Sequence, residues 1–166
     1  MKRNEAETKT SDGSLKKGMR VRPIKHGTVI DHITAGQALN VLKILGISGT
    51  TTAVVSVAMN VPSGVLEKKD IVKIEDRELI EEEVDRVSLI APDATINIIR
   101  DYEVIDKHRV ELPEHLEGVM KCDNPNCISN TIEPVISKFT VNKKPVELRC
   151  IYCDNVISQG IAEHLI

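Results

Sequence analysis

The sequence predicts a two-part α+β chain. A ferredoxin-like split βαβ antiparallel sheet with two helices comes first, and a small all-β domain follows. Three observations predict it. Through residue 105 the hydrophobic periods run strand, helix, strand, strand, helix, strand. Around Glu111-Leu112-Pro113-Glu114 that pattern breaks, which divides the chain into a domain at 18–112 and another at 113–166. All four cysteines lie beyond the break, as Cys122-x4-Cys127 and Cys150-x2-Cys153 with 22 residues between the pairs.

Residues 1–17 are polar and rich in Ser, Thr and Lys, and they read as a flexible arm. Met19 to Ile33 turns β in pattern, with Pro23 restricted to an edge or an irregular lead-in because it lacks an N–H. Ala38, Leu39, Leu42 and Leu45 recur at helical spacing within 35–45, and Gly46 is the natural stop. Thr52 to Val61 reads as a strand closed by Pro62-Ser63-Gly64, and Lys69 to Ile74 as a second with plain alternation.

Glu78 to Leu89 reads as a helix. Its apolar stripe is Leu79, Val84, Val87 and Ile90, and Glu81, Glu82 and Glu83 stand early, where the helix dipole favours anions. Thr95–Ile99 and Tyr102–Ile105 are the last strands of this part, with Lys107 following them. Beyond the break come short β-like pieces at Gly118–Lys121, Val135–Val141, Val146–Arg149 and Val156–Gln159. Some 50 residues with almost no aromatics bury too little apolar surface to fold alone, so this part needs a staple.

The cysteines supply it. Two close pairs on short knuckles suit tetrahedral thiolate zinc, one ion per chain through Cys122, Cys127, Cys150 and Cys153. Two disulfides are the rival reading and would imply secretion, but MKRNEAETKT has no apolar signal stretch. Four protein thiolates leave no open coordination position, which argues against a catalytic metal. No apolar run approaches the roughly 20 residues of a membrane span, so the chain reads as soluble and cytoplasmic.

Catalytic motifs are missing: the chain contains no phosphate-binding glycine loop, nucleophile elbow or H-E-x-x-H pair. The five His are scattered. An enzyme is therefore weakly supported. Net charge is −3, and from Pro113 onward five Lys or Arg face seven Asp or Glu. That balance argues against a nucleic-acid-binding zinc ribbon, which needs a concentrated basic face, and leaves a docking module as the simpler reading. In the first part, Lys25, Val29 and Asp31 share one parity on a regular strand, and Lys69, Lys73 and Lys107 supply cations from others. Converging on the sheet face opposite the helices, they could hold a polyphosphate.

The run Ile24-Lys25-His26-Gly27-Thr28-Val29-Ile30-Asp31-His32-Ile33 resembles a signature of the regulatory chain of aspartate carbamoyltransferase. So do Asn60-Val61-Pro62-Ser63-Gly64, Lys69 to Glu75, Ala91-Pro92 through Asn97, Asp101 to Val104, and both cysteine knuckles. The resemblance runs from about Val21 to the C-terminus.

It implies a non-catalytic subunit of pyrimidine biosynthesis. An N-terminal allosteric domain would bind CTP, ATP and possibly UTP, and a zinc domain would dock on the catalytic chain. Regulatory dimers would bridge catalytic trimers. By position, the nucleotide pocket would comprise Val21, Ile24, Lys25, Val29, Asp31, His32, Lys69, Lys73, Asn97, Ile99, Tyr102, Val104 and Lys107. Asp31 and Lys73 would address the ribose and Lys107 the phosphates, while backbone near Ile24 and Tyr102 would read the base. Asn124 and Asn126 match positions that contact the catalytic chain. Arg22 replaces an acidic residue of the family and Pro23 removes one backbone donor from the edge that reads the base. An amino-acid sensor of the same fold is the remaining alternative, separable by titration with nucleotides against amino acids.

Overall fold

The computed structural model describes residues 23–64, 66–132 and 135–166. The arm expected at 1–17 lies outside these residues, as does Val21. The first sheet is built from β1 (Gly27–Thr34), β2 (Val55–Pro62), β3 (Lys68–Glu75), β4 (Thr95–Arg100) and β5 (Glu103–Arg109) in the order β2-β3-β1-β4-β5. Every neighbouring pair is antiparallel. Helices α1 (Ala38–Ile44) and α2 (Glu81–Ile90) make the two crossovers, as the strand and helix order required.

Alternation decides which sheet face is buried. Ile30 and Ile33 of β1, Val72 and Ile74 of β3, and Ile96 and Ile98 of β4 pack with Ala38 and Val41 of α1 and Val87 and Ile90 of α2. The opposite face carries Val29, Asp31, Lys69, Lys73 and Asn97, none of which is fully buried. At the start of β1 the chain lies so close to β3 that a Cβ on Gly27 (φ +141°) would stand 2.0 Å from the carbonyl oxygen of Ile74. Only glycine fits there.

Several boundaries differ from the expected ones. The first strand starts at Gly27, and Lys25 sits in the bend before it rather than on the strand. Helix α1 begins at Ala38 because residues 34–37 form a turn, with Gly36 at φ +90°. Helix α2 begins at Glu81, where Glu83 reaches back to accept the Ile80 N–H at 3.1 Å. Tyr102 is not on a strand. Asp101 and Tyr102, at φ +50° and +66°, form the two-residue turn between β4 and β5, which lets β5 run on through Lys107. In the second part, the expected strand at Gly118–Lys121 is replaced by β6 (His115–Glu117), which Gly118 ends at φ +65°.

Asp70 holds the first sheet together. Its side chain is wholly buried on the helix side of β3. One carboxylate oxygen accepts the N–H groups of Gly36 (2.9 Å) and Ala38 (3.1 Å), donors at the start of α1 that have no helical partner. The other accepts the N–H of Asn60 at 2.9 Å. Asn60, at φ +57°, lies in a bulge where two β2 residues oppose Asp70. On the other side of β3, Asp31 and His32 form a second bulge opposite Ile71, with His32 at φ +55°.

The second sheet has the order β6-β7-β8-β9, with β7 at Lys138–Lys143, β8 at Val146–Cys150 and β9 at Val156–Ile157. Leu116, Met120, Phe139, Leu148 and Ile157 form its core together with three buried cysteines and Leu89 of α2. Near that junction, the Arg86 guanidinium donates to the carbonyl of Ile166 at 2.5 Å. Among the described residues no helix is long and apolar enough to cross a membrane.

Asp70→Ala should be the most destabilising single change in the first sheet. It strands three backbone donors, two of them at a helix start, for an expected loss of about 3–5 kcal/mol. Urea unfolding of the chain checks this, and a loss under about 1 kcal/mol would show that water replaces the carboxylate.

Candidate metal centre and ligand face

The two cysteine pairs meet at one point. Cys122 and Cys127 flank a tight knuckle, Cys150 ends β8, and Cys153 lies three residues on in the turn towards β9. The four sulphurs lie within 4.8 Å of one another. Cys122 and Cys153 Sγ are 3.7 Å apart, and Cys127 and Cys150 Sγ are 3.6 Å apart. A tetrahedron of thiolates about 2.3 Å from a central zinc has edges of about 3.8 Å, so the geometry fits. It does not fit disulfides, and all four cysteines are free. A soft, purely sulphur donor set selects zinc or iron over harder cations.

The knuckle is held by its own polar groups. Asn124 Oδ1 accepts the Asn126 N–H at 3.0 Å, and the Cys127 N–H donates to Asn124 O at 3.0 Å. Asn130 sends its Nδ2 to the carbonyls of Cys122 (2.8 Å) and Asn124 (2.7 Å). Asn155 Nδ2 reaches Asp123 Oδ1 from the second knuckle. Sequence reasoning missed Asn130 and Asn155. Their only signal was short-side-chain polarity close to a ligand.

The sulphurs differ in how readily they ionise. Burial pushes the Cys122 thiol up to about 12, aided by the neighbouring Cys153 and Cys150 and opposed by the Asn124 N–H. Cys150 is raised mainly by burial as well. Cys153 moves the other way, to about 7, chiefly through the Asn155 N–H and against burial, with Asn124 and the sulphurs of Cys122 and Cys127 assisting. Without a cation, then, burial keeps the Cys122 and Cys150 thiols protonated, and metal must displace those protons to enter.

The open face of the first sheet gathers most of the other expected residues. Ser56, Lys73, Val29, Asn97 and Lys107 stand in register on β2, β3, β1, β4 and β5, one row across all five strands. Asn97 Nδ2 donates to Val29 O at 3.3 Å. Beside the row, Lys69 Nζ lies 2.8 Å from Asp31 Oδ1, which also accepts the His32 N–H at 2.6 Å. Burial would raise the Asp31 pKa. The Lys69 hydrogen bond, the His32 N–H and the charges of Lys69 and His32 outweigh it and hold the carboxyl below the usual range. Burial lowers the Lys73 pKa, with Asp31 opposing.

Bulges place three of these side chains. Val104 pairs with Ile99 and Lys107 with Asn97, because the register of β5 shifts between them and an extra residue is taken up. Strict alternation would put Val104 and Lys107 on opposite faces; the bulge returns both to the open one. His32, turned by its own bulge, brings Nδ1 to 3.4 Å from Thr95 Oγ1. Thr95 shares parity with Asn97, a signal sequence reasoning could have used. Ile24 and Ile99 are both buried, and Tyr102 remains 65% exposed. Its N–H donates to the carbonyl of Lys25 at 3.0 Å, which ties the bend before β1 to the β4–β5 turn.

Comparison with known proteins matches residues 19–111 to the allosteric domain of the aspartate carbamoyltransferase regulatory chain. Residues 114–163 match the metal binding domain of the same chain. The chain belongs to the aspartate carbamoyltransferase regulatory chain family. A regulatory chain of Methanothrix thermoacetophila is 62% identical over 153 residues, covering 92% of this chain and 99% of that one. One from Methanocella arvoryzae is 61% identical over 153 residues (91% and 98%), and one from Natronomonas pharaonis 58% over 147 (89% and 95%). All four cysteines fall in the matched metal binding domain, and the open-face row falls in the matched allosteric domain. A regulatory chain is the non-catalytic member of its complex, which agrees with the missing catalytic motifs.

Two outcomes should follow for the metal centre. Cys150→Ser should leave the chain without metal and unfold the second sheet while the first keeps its amide protection, measured by metal analysis and hydrogen exchange. Because burial keeps the Cys122 and Cys150 thiols protonated, binding must release protons, so metal affinity should fall as pH is lowered from about 8 to about 6. Competition with a chelator across that range checks the sign, and a flat profile would show that the thiols are already ionised.

Proposed function

We propose that this chain is the allosteric, zinc-containing subunit that docks on the catalytic chain of aspartate carbamoyltransferase and relays the binding of CTP, ATP or UTP to it. In this reading residues 18–112 form the nucleotide domain, 113–166 the docking domain and 1–17 an arm. The ion is zinc, one per chain, structural because its four thiolates leave no open position. Dimers formed through the nucleotide domains bridge catalytic trimers in the cytoplasm.

The observation that carries the reading is the row of Lys73, Val29, Asn97 and Lys107, with the Lys69–Asp31 pair beside it, on a sheet face that no helix among the described residues covers. Lys73 and Lys107 are three strand spacings apart, about 14 Å. A nucleotide laid across the strands would place its ribose near Asp31 and Lys73 and its phosphates near Lys107. Asp31 is ionised and already oriented by Lys69, so it can accept from ribose hydroxyls without reorganisation. Ile24, Lys25 and Tyr102 lie at one end of the face, where backbone groups would meet the base; Ile99 and Val104 give it an apolar floor, and His32 lies towards the other end.

The knuckle divides the two expected interface residues. Asn126 is exposed, whereas Asn124 spends its carbonyl oxygen on the turn that shapes the metal loop. We assign docking to Asn126 and a mixed role to Asn124.

Lys107→Ala should weaken CTP and ATP alike, because it removes a phosphate cation and no base contact. The expected loss is about 1.5–3 kcal/mol, or roughly 10- to 150-fold. Calorimetry returning wild-type affinity for both would remove Lys107 from the site. Asn126→Ala should weaken assembly with the catalytic chain while metal content stays at one per chain and nucleotide affinity is unchanged. Gel filtration of the mixed chains reads this out, and undiminished assembly would move the interface elsewhere. Purified alone, the chain should transfer no carbamoyl group.

A further inference from the structure

Main-chain N–H groups donate to the sulphurs of Cys122, Cys150 and Cys153. Asn124 donates to Cys122, Tyr152 and Cys153 donate to Cys150, and Asn155 donates to Cys153. In each case one donor lies two residues after the cysteine it serves. Two residues after Cys127 stands Ser129, whose side-chain Oγ lies 3.1 Å from Cys127 Sγ.

The hydroxyl is held in place. Ser129 is the middle residue of a 3₁₀ turn, Ile128–Asn130, which follows Cys127 directly. The Asn130 N–H donates to Cys127 O at 2.9 Å and the Thr131 N–H to Ile128 O at 3.2 Å. Asn130 then anchors the turn to the rest of the knuckle through the carbonyls of Cys122 and Asn124. Little rotational freedom remains to be lost when the contact forms.

Between a thiol and a hydroxyl either group could donate. Once metal is bound the thiolate has no proton, and only the hydroxyl can. Four thiolates around a divalent ion leave net negative charge in a site with little water, and each N–H or O–H aimed at sulphur disperses part of it. We propose that Ser129 is a positioning residue of the metal centre, its hydroxyl donating to the Cys127 thiolate and slowing loss of the ion. The proposal rests on the zinc reading above.

The test uses the whole chain as wild type, Ser129→Ala, Ser129→Thr and Ser129→Val, each loaded with zinc and separately with cobalt(II). Threonine keeps the hydroxyl, and valine copies its shape without it. Ala and Val should release zinc to a colorimetric chelator about tenfold faster than wild type, with Thr within about twofold. In the cobalt forms, the sulphur-to-metal charge-transfer band should move to lower energy in Ala and Val but not in Thr, a shift that a loss of packing alone would not produce. Equal release rates and an unmoved band in Ala would overturn the proposal, as would Thr behaving like Val. Should Ala fail to fold, the Thr and Val pair decides, and failure of both would show that size, not the hydroxyl, matters. Wild-type chain isolated without zinc would overturn the zinc reading instead; zinc present with all variants equal would overturn only the role of Ser129.

Discussion

Four sulphurs gathered within 4.8 Å are the constraint on which the second half of this molecule depends. The apolar core around them is small: five side chains of its own, three buried cysteines and one leucine lent by α2. Burial raises the Cys122 and Cys150 thiols, so the cluster resists ionisation until a cation arrives. A structural zinc can supply on the order of 10–16 kcal/mol to a fold of this size, more than its aliphatic contacts can. Short strands, knuckles and turns can therefore stay open to a partner without costing the domain its stability.

The first half solves a different problem. A five-stranded sheet covered on one side has a second face that must stay wet or hold a ligand. Here it carries Lys73, Asn97 and Lys107 in register, with Asp31 and Lys69 paired beside them. Asp70 makes that arrangement possible from the hidden side. By binding the start of α1 and the bulged backbone of β2, it secures the strand that carries Lys69 and Lys73. The structural carboxylate and the open-face lysines Lys69 and Lys73 point to opposite sides of β3, so the buried anchor and the cations occupy opposite faces of one strand.

Helix α2 joins the halves. Its acidic first turn points to the sheet domain, where Glu83 pairs with Arg77, and Arg77 also donates to the carbonyl of Leu45 at 3.0 Å, just past the end of α1. Its last turn divides its loyalties: Ile90 packs in the first core and Leu89 in the second. Two adjacent residues of one helix thus pack into both cores.

Local patterns were legible in the sequence. Alternating and helical periods located both helices and the strands of the first sheet, and the cysteine spacing identified the metal site, because period and spacing are properties of neighbouring residues. The motif run around Gly27 to Ile33 brought the family into view. Tertiary structure decided the rest. The bulge at Asp31 and His32 and the one in β5 alter which side chains share a face, and a bulge exists only where a partner strand accommodates it. Asn124, expected to contact the catalytic chain, also shapes its own loop. Leu89, the last residue of the helix expected at 78–89 and outside its apolar stripe, entered the other part's core. For the bulges and for Leu89 the deciding atom lies far along the chain or across a strand, and a one-dimensional pattern does not encode what a side chain meets when the chain folds back on itself.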